Sequence, residues 1–105
     1  MKPRYAVRYL PAAQQDLSDI LDYIARDDPR AARRFVDRID RAIGRLALFP
    51  RSGRWPGDAR LRRLGYRVLA VGDYLVFYVV VRRKVQIRRV LHGARRYDFL
   101  LRPED

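Results

Sequence analysis

The stretch "YLVFYVVV", Tyr74–Val81, decides the fold, because eight consecutive aliphatic and aromatic residues of high β-propensity predict a strand covered on both faces. Successive side chains of a strand point to opposite faces. One face therefore carries Val76, Tyr78 and Val80, and the other carries Leu75, Phe77, Val79 and Val81. Helices must cover one face, and the second face is either a groove for a partner or a second small core.

Strand-like segments and turn signals surround this central strand. Gly72-Asp73 predicts a tight turn before it, and Arg82-Arg83-Lys84 predicts a hairpin tip after it. Three further segments have the length and β-propensity of strands: "RLRRL" (residues 60–64), "YRVLAV" (residues 66–71) and "KVQIRRVLH" (residues 84–92). Together with Tyr74–Val81 they predict an antiparallel meander.

The N-terminal half predicts a short strand followed by two helices. Residues 5–10 have strand-like alternation, and Pro11 suits the first turn of a helix that runs to about Arg26. Asp28 can cap a second helix that begins at Pro29 and ends near Pro50. Apolar residues recur at helical spacing in both, at Leu17, Ile20, Leu21 and Ile24 and then at Ala32, Phe35, Val36, Ile39, Ile43 and Leu46.

The fold class is therefore α+β: an N-terminal strand, a helical hairpin, and an antiparallel sheet of three to four strands. The length of the chain, 105 residues, predicts one domain over residues 1–105, with a short flexible tail from about residue 100. No apolar segment approaches the roughly 20 residues of a membrane-spanning helix, and no signal peptide is evident. We expect a cytoplasmic protein.

The charge is large and unevenly placed. The net charge is +12, and residues 41–103 carry sixteen Lys and Arg against three Asp. Such a region attracts polyanions or an acidic protein. The chain has no cysteine, which excludes disulfides and thiolate metal sites, and no metal or cofactor is expected. A plain nucleic-acid-binding module is disfavoured, because the positive charge is scattered among the strands and no recognition helix or stacking motif accompanies it.

Several phrases, spread over about 90 residues, resemble the RelE/ParE superfamily of toxins from bacterial type II toxin–antitoxin systems. The helical stretch that begins "AAQQDLSDIL" is one, and it extends over residues 12–46. The others are "FPRSGR" (Phe49–Arg54), "GYRVLAVGDYLVFYVV" (Gly65–Val80) and "IRRVLHGARRY" (Ile87–Tyr97). "FPRSGR" and "RVLHGAR" resemble the ParE branch, whereas "VGDYLVFY" is common to both branches.

The resemblance implies two alternative activities. ParE-like members poison DNA gyrase and have no catalytic site, whereas RelE-like members are ribosome-dependent mRNA endoribonucleases. Both kinds are neutralised by a cognate antitoxin in a hetero-oligomer. We expect target contacts at Arg88, Arg89, Arg95, Arg96 and Tyr97. We expect antitoxin contacts on the hairpin and the central strand, at Phe35, Ile39, Leu75, Phe77, Tyr78 and Val80.

A ribonuclease needs a base for the 2′-hydroxyl, an acid for the leaving oxygen and cations for the phosphate. The available set is His92, Arg67, Arg89 and Tyr97. The base is the difficulty, because the glutamate and lysines that RelE-like nucleases use are not matched here, and arginine does not release its proton. If His92 is the base, the acid must be Tyr97 or an arginine, which is a poor set. Asp58 lies in a loop of unknown reach. The sequence therefore favours the gyrase inhibitor, and the endoribonuclease remains the alternative. In the gyrase inhibitor His92 simply ends a strand. Trp55 is expected to pack within its loop, and the alternative is an exposed aromatic contact for a partner.

Overall fold

One four-stranded sheet with a helical hairpin on one face forms the described part of the chain. The computed structural model describes residues 4–93 and Leu100. The elements are β1 (Ala6–Tyr9), α1 (Pro11–Asp27), α2 (Pro29–Gly44), a 3₁₀ turn (Arg45–Ala47), α3 (Ala59–Arg63), β2 (Tyr66–Val71), β3 (Tyr74–Val81) and β4 (Lys84–His92). The predicted α+β fold class is confirmed. None of the helices among these residues is long and apolar enough to cross a lipid bilayer.

The strands lie in the order β1-β4-β3-β2. The last three strands form the predicted antiparallel meander. β1 adds to it in parallel, from the pair Ala6 and Lys84 to the pair Tyr9 and Ile87. A parallel neighbour needs a long crossover connection, and the helical hairpin is part of the one that joins β1 to the meander.

Both α1 and α2 begin with proline, and α2 also has a side-chain cap. The Asp28 carboxylate accepts the N–H groups of Arg30 and Ala31 at 3.0 and 3.3 Å, and Pro29 occupies the first position of α2. The predicted end of α2 near Pro50 is wrong by six residues. The helix ends at Gly44, and the chain continues as a 3₁₀ turn that buries Leu46.

The predicted strand at residues 60–64 is wrong, because this segment is the single-turn helix α3. Asp58 caps it by accepting the N–H of Arg60 at 2.8 Å. Leu61 is buried, while the arginines on either side are exposed. The cap and the one buried leucine stabilise a helical turn here. The β-propensity of so short a segment does not decide its structure.

The two faces of β3 belong to two cores. Val76 and Tyr78 pack with the helices, against residues that include Ile39, Ile43 and Leu46. Phe77 and Val79 pack on the other face with Leu61, Tyr66, Val68, Leu91 and Leu100. Of the two alternatives for the second face, the structure therefore has the second small core.

A bulge in β4 keeps both cores filled. Phe77 pairs with Arg89 and Tyr78 pairs with Ile87, so Arg88 is an extra residue on β4. The extra residue reverses the alternation of side chains along the strand. As a result, Ile87 before the bulge and Val90 after it both pack with the helical core.

Candidate functional site

Arg89, an expected target contact, is held in an ion pair with α1. Its Nε and Nη2 donate to the two carboxylate oxygens of Asp16 at 2.7 and 2.8 Å. Asp16 also accepts the backbone N–H of Val90 at 2.9 Å, beyond the point where β1 ends. The two side chains are only 23% and 11% exposed. Arg89 therefore joins α1 to β4, which is a structural role that the sequence did not reveal.

Arg67 holds the loop between α2 and α3. Its Nη1 donates to the carbonyl oxygens of Arg51 and Gly53 at 3.2 and 3.0 Å. Its guanidinium also lies 4.1 Å from the centroid of the Trp55 ring, on which Arg62 lies at 5.1 Å. Trp55 thus packs with the side chains around its loop, as expected.

The same loop is tied to the core and to β2. The Tyr78 hydroxyl accepts the N–H of Gly53 at 2.9 Å in a buried position. Burial raises the pKa of Tyr78, so the hydroxyl stays protonated. Arg54 and Val68 exchange two backbone hydrogen bonds of 3.0 and 2.9 Å along the outer edge of β2. The loop is therefore a fixed part of the fold.

Two residues of the ribonuclease alternative, His92 and Arg67, lie far apart on the sheet. His92 pairs with Tyr74, whereas Arg67 pairs with Tyr78. Four residues of β3 separate these two rows, which corresponds to about 14 Å. The His92 ring meets the edge of Tyr74, with 5.4 Å between centroids, and Tyr74 meets Phe35 in the same manner at 5.2 Å. His92 thus ends β4 in an aromatic row. Tyr97 lies outside the described residues.

Two aspartates, Asp16 and Asp58, are already engaged by arginines. Asp16 bonds Arg89 and Val90. Asp58 bonds the side chain of Arg60 at 3.2 and 2.9 Å, and these hydrogen bonds lower the pKa of its carboxyl. A carboxylate with a lowered pKa is a weak base. Neither aspartate is suited to take a proton from a ribose hydroxyl.

Arg88 lies over the second core. Its Nη2 donates to the Gln86 side chain at 3.2 Å, and its guanidinium lies 5.8 Å from the Tyr66 ring centroid. The Nε is buried and has no hydrogen-bond partner in the structure. Arg88 is only partly exposed. Two other expected target contacts, Arg95 and Arg96, lie outside the described residues.

Three of the six expected antitoxin contacts are buried within the chain. Ile39, Phe77 and Tyr78 are 3%, 0% and 0% exposed. Their side chains complete the two cores, so they offer no surface to a partner in this conformation. The other three, Phe35, Leu75 and Val80, are half-buried. The sequence identifies apolar residues of the helices and strands but not the faces that the chain covers itself.

A groove between α2 and the β2–β3 turn carries partly exposed apolar surface. Its volume is about 530 Å³, and we call it the helical groove. Phe35 and Tyr74 form apolar parts of its wall together with Ile24 and Ala31. Its charged residues are Arg34, Arg38, Arg41, Asp37 and Asp73. The apolar stripe of α1 at Leu17, Ile20, Leu21 and Ile24 is also only half-buried.

The fold is shared with a chain of a solved toxin–antitoxin system. The chain superposes on a chain of the chromosomal ParDE toxin–antitoxin structure from P. aeruginosa with a TM-score of 0.68 at 22% identity, covering 84% of this chain and 95% of that one. The sequence model of the family described as "ParE toxin of type II toxin-antitoxin system, parDE" matches residues 7–97. The chain belongs to this family and is a toxin of the RelE/ParE superfamily.

Two named relatives share more than a third of their aligned residues with this chain. The Sinorhizobium fredii protein Y4kP is 38% identical over 98 residues, which are 93% of this chain and 98% of that protein. Toxin RelE2 of Caulobacter vibrioides is 39% identical over 83 residues, which are 79% of this chain and 89% of that protein. Family membership therefore establishes that the protein is a type II toxin. It does not identify the target of the toxin.

Proposed function

We propose that this toxin arrests growth by binding DNA gyrase, without cutting RNA, and that a cognate antitoxin neutralises it. The observation that carries the proposal is the engagement of the groups a ribonuclease would need. Arg89 is paired with Asp16, Arg67 holds loop carbonyls, and Asp58 is paired with Arg60. His92 lies about 14 Å along the sheet from the row of Arg67. The match to the ParE family supports the same choice.

The antitoxin is proposed to bind along the helical groove and the half-buried stripe of α1. An amphipathic helix binds by laying its apolar face into such a groove. Three arginines line the groove against two aspartates, so an acidic segment is favoured. The ParDE system, whose toxin shares this fold, is itself a toxin–antitoxin pair.

Charge reversal in the groove tests the antitoxin site. Arg38→Glu should weaken binding of the cognate antitoxin about tenfold, mainly through slower association, because acidic partners are steered by this charge. Surface plasmon resonance at two salt concentrations measures both rates. The matched control is Arg63→Glu on α3, an exposed arginine outside the groove. Equal losses in the two variants would show that net charge, and not the groove, governs binding.

Substitution of the lone histidine separates the two activities. His92→Ala should leave growth arrest intact, because the gyrase inhibitor uses no proton transfer by His92. The measurement is colony formation after induction without antitoxin, with protein levels matched by immunoblot. A return to normal growth at equal protein level, with antitoxin binding retained, would favour the endoribonuclease instead. The relative named toxin RelE2 is the observation that keeps this second function in consideration.

The phenotype of induced cells tests the proposed function as a whole. Induction of the toxin alone should cause filamentation, as expected from DNA damage, while cellular transcripts stay intact. Mapping of transcript 5′ ends in the arrested cells detects cleavage directly. Transcripts cut during translation in cells that do not filament would contradict the proposal.

A further inference from the structure

The two hairpin turns of the sheet have the same geometry but different residues. In each, two residues connect paired strand ends: Gly72-Asp73 between Val71 and Tyr74, and Arg82-Arg83 between Val81 and Lys84. The first residue has φ +59° at Gly72 and +58° at Arg82. Glycine adopts this left-handed conformation without steric cost, whereas arginine does not. Among the described residues, Arg82 is the only one other than glycine with positive φ.

An arginine in a strained turn position calls for a function that offsets the cost. Arg82, Arg83 and Lys84 are all exposed, and none is in an ion pair within the described part of the chain. A glycine at position 82 would serve the fold better, as Gly72 does in the neighbouring turn. The fold itself therefore gives no reason for an arginine at position 82.

The structure gathers further cations at the same end of the molecule. The Ala6 N–H donates to the Arg83 carbonyl and the Tyr5 N–H to the Ala47 carbonyl, which joins three segments of the chain. These segments, residues 4–9, 45–54 and 81–85, carry eight Arg or Lys and no Asp or Glu. We call the exposed group Arg51, Arg82, Arg83 and Lys84 around Tyr5 the hairpin-tip surface.

The pKa of Tyr5 reflects the positive potential of this surface. A hydrogen bond from Arg51 lowers the pKa of its phenol, and the charges of Arg51 and Arg83 lower it further. The Arg83 guanidinium lies 4.8 Å from the Tyr5 ring centroid. One face of the ring is thus covered by a cation.

We infer that the hairpin-tip surface binds the phosphate backbone of duplex DNA. The inference rests on the proposed function and extends it, since it gives the toxin a contact with the DNA that gyrase holds. Interfaces with DNA backbone are strongly positive and polar. The centres of protein interfaces are depleted of charge and use apolar anchors. Three consecutive exposed cations at a turn fit a row of phosphates, and the face of Tyr5 that Arg83 covers is not available to stack on a base of a single strand.

The test is Arg82→Gly, measured by fluorescence anisotropy with a fluorescein-labelled 20-base-pair duplex of mixed sequence. We expect several-fold weaker binding and a slope of log K against log salt that is smaller by about 0.9, the value for one lost phosphate contact. We also expect a melting temperature about 4 °C higher, because glycine relieves the turn. Weaker binding by a more stable protein cannot be explained by misfolding.

Three controls complete the experiment. Arg82→Lys keeps the charge and should retain most of the affinity, whereas Arg33→Gln, which removes an exposed charge on α2, should keep the wild-type slope. Unchanged binding and slope in Arg82→Gly would overturn the inference. Displacement of the duplex by a polyglutamate peptide at equal charge concentration would also overturn it, because the surface would then favour an acidic protein. The anisotropy experiment contains no gyrase, so its result stands even if the toxin fails to inhibit supercoiling. Conversely, a failure to bind DNA in this experiment leaves the proposed function standing.

Discussion

Asp16→Ala should lower the free energy of unfolding by about 3 kcal/mol, because it removes one partner of a largely buried ion pair. The substitution leaves the Arg89 guanidinium without its carboxylate and the Val90 N–H without its acceptor. A buried donor that loses its partner carries its full desolvation penalty. Urea denaturation followed by circular dichroism measures the change.

The control for this variant is Asp19→Ala on the same helix. Asp19 is exposed and accepts one hydrogen bond, from Gln15 at 2.8 Å. Its loss should cost less than about 0.5 kcal/mol, as is usual for surface substitutions. Similar losses for the two aspartates would mean that the pair of Asp16 and Arg89 does not hold α1 against β4. The double variant Asp16→Ala with Arg89→Ala should cost less than the two single losses added together.

Gly53→Ala should lower the free energy of unfolding by about 2–3 kcal/mol, because the added methyl group overpacks a rigid site. A Cβ at this position would lie 2.5 Å from the Tyr78 hydroxyl oxygen and 2.8 Å from its ring. The ring is fully buried in the helical core and cannot move aside. The variant should also disturb the loop that carries Arg51, so DNA affinity should fall with stability.

Gly57 provides a matched control in the same loop. A Cβ there has no atom within 4 Å, so Gly57→Ala should be nearly neutral in the same denaturation experiment. A background of Tyr78→Phe gives a second check, because it removes the oxygen that clashes. There, the additional cost of Gly53→Ala should shrink. An unchanged cost would place the origin of the effect elsewhere in the loop.

Local rules predicted the parts of the fold that depend on local chemistry. Asp28 before Pro29 caps α2, and Gly72 makes the turn before the central strand, as the residue types require. The parallel pairing of β1 with β4 was not predicted, since it joins residues some 78 positions apart, such as Ala6 and Lys84. The segment at residues 60–64 was misassigned because β-propensity was weighed without the cap that Asp58 supplies.

The site was predicted less well than the fold, for a related reason. Arginine at position 89 reads as a surface cation, and its partner Asp16 lies 73 residues earlier. Phe77 reads as surplus apolar surface, yet α3 and Leu100 cover it. The hairpin-tip surface could not be predicted from any one stretch of sequence either, because three distant segments meet there. Which side chains remain exposed is a property of the folded chain.

We propose that this toxin acts on gyrase and that its described residues form no site that cuts RNA. The most direct test adds purified toxin to gyrase, ATP and relaxed plasmid, and in parallel to translating ribosomes with a labelled message. We predict loss of supercoiled product with accumulation of cleaved plasmid, while the message stays whole. Undiminished supercoiling at a large molar excess of toxin, with the message severed in the parallel reaction, would contradict the account.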